Sequence, residues 1–449
     1  MRPILSSLRI ANATIAKAYP GETGDRQPVH TVYGGAHLFR ADTAARMGAV
    51  ALSALDEYAP DAATLDRALG LSGVLRSSEH ESRALAEIIR ARVVEKLKRE
   101  PVEDFRIDFE DGYGVRPDAE EDVHAASAAE QVAEGLAKDS LPPFIGIRIK
   151  PMSKELHARS LRTLDIFVTT LARATERRFP PHFVVTVPKL MGASHVVAVA
   201  RACAALERRL KLGASRLKLE LMIETPQSII GADGSSALRA LVAAGAGRVT
   251  GAHFGTYDYT ALCGITALWQ HMRHQACDFA KHMMQVALAQ TGVRLSDGAT
   301  NIMPIAPHRA SAGRTLSEAE RTENHGVVHH AWQLHFADVQ HSLVNGFYQG
   351  WDLHPAQLPS RYAAVYAFFL SARAGATARL RNFVDKAAQA TLVGDVFDDA
   401  ATGQGLLNFF VRGLNSGALT LDEARETGLS VEELQGRSFV KILDARRKR

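Results

Sequence analysis

The sequence has little cysteine, little net charge and no long apolar run, and each shortage removes a class of protein. Cys203, Cys263 and Cys277 are the three cysteines among 449 residues. They are too few and too irregularly spaced for a disulfide framework or a structural zinc site, so a cytoplasmic, reducing setting is expected. Lys plus Arg number 53 against 49 for Asp plus Glu, a balance of +4 that leaves no footprint for nucleic acid. Part of the excess is the terminal run Arg446, Arg447, Lys448 and Arg449, which reads as a solvated chain end. No apolar stretch approaches the roughly 18 residues of a membrane span, and Met1-Arg2-Pro3-Ile4-Leu5 does not open a signal peptide. The expected partners are small molecules or further copies of the chain, with no membrane and no nucleic acid.

What the sequence does have is a 46% hydrophobic content and short strand-like runs separated by helical stretches, the pattern of βα units. Eight runs are expected: His30 to Phe39, Phe105 to Gly112, Phe144 to Pro151, Phe183 to Leu190, Leu217 to Pro226, Val249 to Asp258, Thr300 to Pro307 and Phe347 to His354. Eight parallel strands close most naturally into a (β/α)8 TIM barrel, an α/β fold. Residues 1–29 form an N-terminal arm, 30–359 the barrel and 360–449 a helix-only extension. An insertion at about 40–104 reads as two or more helices from the spacing of Ala44, Met47, Ala51 and Leu52, then Leu85, Ile88, Ile89 and Val93.

Barrel strands converge on one mouth, so charged residues at their C-terminal ends are catalytic candidates. In Arg106-Ile107-Asp108-Phe109-Glu110-Asp111-Gly112, alternation turns Ile107 and Phe109 towards the helices and Asp108 and Glu110 inward. Two inward carboxylates need a metal, a cation or hydrogen-bond donors; a polar layer balanced by basic residues is the alternative. The third run turns Arg148 and Lys150 inward, where Arg148 could meet a substrate carboxylate or enolate oxygen, or serve only as partner to Asp108 or Glu110. Lys189 ends the fourth run. The fifth alternates Leu217, Leu219, Leu221 and Ile223 with Lys218, Glu220, Met222 and Glu224, which leaves Glu224 at the mouth. In His253-Phe254-Gly255-Thr256-Tyr257-Asp258 the glycine permits a tight strand exit before Asp258. Adjacent strand ends can bring Glu224 and Asp258 onto one ion, with waters and a chelating substrate completing its shell as magnesium prefers. The histidines 325, 329, 330, 335 and 341 lack a third ligand at zinc spacing and read as a packed helix, and Gly112-x-Gly114 is no dinucleotide fingerprint.

In order, Asp-Phe-Glu-Asp, the arginine, Pro-Lys, Ile-Glu-Thr, Phe-Gly-x-x-Asp and His-Pro-x-Gln resemble the citrate lyase beta-subunit superfamily of HpcH/HpaI type, related to malate synthase, across about residues 30–359. The resemblance implies a carbon–carbon lyase or aldolase with Glu224 and Asp258 as ligands of Mg2+ or Mn2+. It further implies Arg148, Lys189 and Gly255 at the substrate, Arg148 stabilising its enolate, and Asp108 with Glu110 orienting water or substrate. The chain departs from compact citrate lyase subunits in its length, its insertion, and Tyr113 and Arg116 after Asp111.

The expected reaction makes or breaks a carbon–carbon bond of a 2-oxo acid or a hydroxy-acyl-CoA-like carboxylate. A coenzyme A thioester is thus an open candidate for part of the substrate. The alternatives are a malate-synthase-like Claisen condensation and a non-catalytic metal-binding barrel subunit. The base is open among Asp108, Glu110, His253 and His354. A homo-oligomer is expected. The segment from Val396 to Gly405 reads as an ordinary helix cap, with a lid over the mouth carrying Asp398 or Asp399 as the alternative.

Overall fold

Short strands with outward apolar residues, each followed by a helix, leave one arrangement that buries both faces: a closed parallel sheet inside a ring of helices. The computed structural model describes residues 2–21, 25–75, 79–311, 314–385, 391–393, 396–398, 400–436, 439, 442 and 446. Helix α1 (Arg2–Ala18) leads to β1 (His30–Gly35), and the insertion carries α2 (Thr43–Tyr58) and α3 (Glu79–Arg99) with shorter helices between them. Then come β2 (Asp104–Asp108), α4 (Asp118–Ala137), β3 (Phe144–Arg148), α5 (His157–Ala174), β4 (His182–Val187) and α6 (Ala193–Leu210). They are followed by β5 (Lys218–Ile223), α7 (Leu238–Ala244), β6 (Val249–Phe254), α8 (Gln275–Leu288), β7 (Arg294–Ser296), α9 (Glu318–Val344), β8 (Gly350–Asp352) and α10 (Leu358–Asp385).

The strand order is β7-β6-β5-β4-β3-β2-β1-β8, every pair parallel. Just past β7 the ring closes: Asp297 N donates to Gln349 O at 2.8 Å and Trp351 N to Gly298 O at 2.9 Å. Ile107, Ile147, Val185, Leu221 and Ala252 face the helices and are fully buried. The seventh strand lies at Arg294–Ser296, not at Thr300–Pro307, which forms no strand. Pro304 and Pro307 cannot donate to a ladder, whereas three residues of β7 suffice because the closing bonds continue through Asp297 and Gly298.

Inside the barrel, Arg106 donates to Thr186 Oγ1 at 3.1 Å and to Glu220 Oε2 at 3.0 and 2.6 Å, and it also pairs with Asp104. On the helix side, buried Asp352 accepts from His30 Nδ1 at 2.7 Å, lies 3.0 Å from His335 Nε2 and pairs with Arg361, tying β8 and β1 to α9 and α10. Despite its burial, the Arg361 charge and these histidines hold the Asp352 carboxyl well below the usual range.

The extension is not helical throughout. Strands β9 (Thr391–Val393) and β10 (Val396–Asp398) pair antiparallel ahead of α11 (Ala400–Asn415), which packs Leu407 and Phe410 against α10. Arg92 of α3 reaches Glu423 at 2.8 Å and ties the extension to the insertion.

Candidate active site

The end of β2 is a tight turn built on one carboxylate. Asp108 Oδ1 accepts from Glu110 N at 3.0 Å and its Oδ2 from Gly112 N at 2.7 Å. Parallel register sets Arg148 beside it, and the guanidinium donates Nε to Oδ1 at 2.7 Å and Nη2 to Oδ2 at 2.6 Å. Each Asp108 oxygen therefore accepts twice, from a planar fork and from the turn it holds. The Arg148 guanidinium lies over the Tyr33 ring at 4.7 Å and the Trp351 ring at 5.9 Å. Its remaining Nη1 edge is 2.9 Å from Glu110 Oε2 and 3.6 Å from Asp111 Oδ2. Lys150 instead donates to Phe109 O at 2.7 Å and lies 3.3 Å from Glu121, bracing the outside of the same turn.

Lys189, one residue beyond Pro188 at the end of β4, adopts a left-handed conformation with φ of 47°. Its backbone N donates to Glu224 Oε1 at 2.6 Å, while its ammonium pairs with Glu110, with Asp111 at 3.2 Å and with Asp258 Oδ2 at 3.3 Å. One lysine thus gathers four carboxylates from three strand ends. Glu224 is 1% exposed, whereas the Asp258 side chain, in the first turn of the helix Thr256–Leu262, is 36% exposed. Between them, Gly255 leaves room that a side chain would fill: a Cβ there would stand 2.5 Å from Glu224 Cβ and Oε2.

The charges are not balanced. Burial, then the negative charges of Glu110 and Asp258, push the Glu224 carboxyl up to about 8. Burial also raises Glu110, whose Oε2 is buried without a hydrogen bond despite its nearness to Arg148. The Lys189 ammonium is held above its ordinary value by Glu110 and Glu224 although burial opposes it. A cation between Glu224 and Asp258 would relieve this repulsion, and an all-oxygen set suits a hard ion such as Mg2+ or Mn2+. Among the described residues no three His, Cys, Asp or Glu side chains form a cluster that could hold a metal ion. Two carboxylates would have to share such an ion with water and substrate oxygens.

The structure therefore brings Asp108, Glu110, Arg148, Lys189, Glu224, Gly255 and Asp258 into one mouth. His253 lies deeper, its Nε2 3.5 Å from Glu220 and its Nδ1 accepting from Trp351 Nε1 at 3.3 Å. His354 caps the turn after β8, Nδ1 accepting from Ala356 N at 3.2 Å. In α9, His329 bonds to Tyr58 O, His335 bonds to Ser360 and lies 3.0 Å from Asp352, and His341 bonds to Asp278. Asp399 and the side chain of Asp398 lie outside the described residues.

Sequence reasoning missed Arg106, Tyr33, Trp351 and the role of Asp111. Arg106 shares the inward parity of Asp108 and was legible on that ground. Asp111 lies beyond the strand, where alternation no longer applies.

Residues 8–442 match the model of DUF6986, a domain of unknown function. The chain belongs to the DUF6986 family. A search of curated proteins finds no sequence match to this DUF6986 chain. Among solved structures it is similar to a citrate lyase from Burkholderia xenovorans, at 19% identity over 79% of this chain and 94% of that one, with a TM-score of 0.52. A Haloferax volcanii malate synthase with glyoxylate is 14% identical over 94% of this chain and 98% of that one, with a TM-score of 0.46. The citrate lyase likeness supports the barrel fold of this DUF6986 member. Among the described residues no helix is long and apolar enough to cross a membrane.

Proposed function

We propose that this DUF6986 protein is a Mg2+- or Mn2+-dependent carbon–carbon lyase or aldolase of the citrate lyase beta-subunit type, working on a 2-oxo acid or a related carboxylate through an enolate. The observation that carries the reading is the mouth itself. Four carboxylates surround one lysine there, with Glu224 pushed up to about 8, beside an arginine whose orientation is fixed from behind. Glu224 and Asp258 would hold the ion, which when bound supplies Lewis-acid polarisation of a chelated carboxylate and carbonyl.

The remaining chemistry falls to the chain. Asp108, its lone pairs occupied, acts as a positioning residue that aims Arg148. The Nη1 edge of Arg148 meets the oxygen on which charge develops as the carbon–carbon bond breaks and its electron pair passes into the enolate. Glu110, with a buried oxygen that makes no hydrogen bond and a raised carboxyl, is the group best placed to take the hydroxyl proton and return one to carbon. Tyr33 and Trp351 keep water from one face of Arg148.

Run in reverse the same groups condense, so a malate-synthase-like reaction with an acyl-coenzyme A donor is the second reading; it rests on the shared metal and arginine. The test is a panel of 2-oxo acids and hydroxy-acyl-coenzyme A thioesters with Mg2+ and Mn2+, assayed for pyruvate, glyoxylate or acetyl-coenzyme A. Metal-dependent release of one of these supports the reading. Absence of Mn2+ binding by the wild-type protein overturns it.

A further inference from the structure

Helix α1 stands off the barrel. Residues 3–20 are all exposed, including Leu8 at 52% and Ile15 at 57%. It is anchored near its C-terminal end, where the Arg239 guanidinium covers the Tyr19 ring at 4.8 Å and Gly21 N donates to Gln290 O at 2.9 Å. A single 17-residue helix with no packed face is marginal in water, so its apolar side needs a cover. That side is a narrow seam: Ile4, Leu8, Ala11 and Ile15 follow one another at spacings of four, three and four residues. Such spacing is the signature of a helix that packs on another helix. Ile10, Arg9 and Lys17 occupy the opposite side, and two basic residues make a sparse polar face for a helix lying in lipid.

A matching seam is exposed on the same molecule. Along α8, Phe279 (53% exposed), half-buried Met283 and Val286 (81%) follow at spacings of four and three. Leu268 at 84% and Trp269 at 61% are also exposed, in the turn Ala267–Trp269 that precedes α8. The arm of the same chain leaves from Gln290, just past the end of α8, and does not lie on this surface: both seams are bare. At about 1.5 Å per residue, α1 spans roughly 25 Å, enough to run the length of the 14 residues of α8.

We propose that the occupant is a second copy of this chain: α1 of each copy packs along the α8 seam of the other in a reciprocal, two-fold exchange. The symmetry makes one seam pair count twice, which brings the contact towards the roughly 800 Å2 per partner of a stable interface. Swapped arms also explain why a chain would keep Ile4, Leu8 and Ile15 exposed on a helix with no cover of its own.

The test is sedimentation velocity on the full-length protein and on two double variants, Leu8→Glu with Ile15→Glu and Phe279→Glu with Val286→Glu. The wild type is expected to be a dimer or a higher even-numbered assembly, and each double variant a smaller species with an unchanged circular-dichroism melt. A monomeric wild type, or variants that sediment as the wild type does, overturns the proposal. A second measurement introduces Ile15→Cys and Val286→Cys together in a Cys263→Ser background, because Cys263 is the exposed native thiol. Oxidation should give a covalent dimer on a non-reducing gel. An internal cross-link at monomer mass would show docking within one chain and overturn the exchange. So would arm-dependent binding of a monomeric wild type to phosphatidylglycerol vesicles.

Discussion

Glu224 combines burial, two like-charged neighbours and one backbone donor, and each has a measurable consequence. The folded carboxyl keeps its proton to about pH 8 while an unfolded glutamate loses it near its ordinary value of 4.5. The folded state thus binds more protons across that window, so metal-free stability falls as pH rises from about 4.5 to about 8. Thermal midpoints in EDTA should show that decline in the wild type and a flatter line in Glu224→Gln. Glu224→Gln and Asp258→Asn should each abolish activity and Mn2+ binding, followed by titration calorimetry, and leave the fold intact. Normal Mn2+ affinity in either variant would remove the metal assignment. Arg148→Lys should lower kcat/KM on the order of 10²-fold, because an ammonium cannot make the two bonds to Asp108 and still present a third edge. A rate near wild type would leave Arg148 a structural partner of Asp108. Much of this was legible from strand parity, which turned Asp108, Arg148 and Glu224 inward. What parity could not reveal is that Asp108 spends itself on Arg148 and that Lys189 bends into a left-handed turn to reach Glu224, since both depend on neighbours far along the chain.

At the scale of elements, strands that alternate cleanly were legible and those fixed by closure were not. Leu217 to Glu224 alternates through its whole length and forms β5, whereas Arg294-Leu295-Ser296 is too short to show a period and is held in place by Gln349 and Trp351. The hairpin β9–β10 escaped for the same reason, being two three-residue strands between long helices. The extension also has more of a packing role than a loose cover requires. Phe410 and Leu407 are fully buried, and Glu423 is pinned by Arg92. Phe410→Ala should therefore cost about 3–5 kcal/mol of stability by urea denaturation. Its Mn2+ affinity should stay at the wild-type value, since Phe410 packs against α10 and not at the mouth. Cutting the chain after about residue 390 would strip the same core, so a lid role for Asp398 or Asp399 is better tested by Asp398→Asn and Asp399→Asn, expected to reduce turnover and spare metal affinity.

For the whole molecule, the ring closes between its extremes. β1 is sealed by β8, and His30 holds Asp352 from 322 residues away. During synthesis, every residue of the mouth leaves the ribosome before the strand that shuts the sheet exists. At about 5–20 residues per second, the nascent chain waits between roughly a quarter of a minute and a minute with β1 offering an unpaired edge. A chain ended after Gly346, which retains all the mouth residues from Asp108 to Asp258, should consequently be recovered as aggregate or lack a cooperative melt by circular dichroism. Birth order thus sets a hazard that the finished protein no longer shows: the chain is most exposed to misassembly when its charged centre is already complete in sequence but has no wall behind it, and a chaperone's help would matter most in that interval.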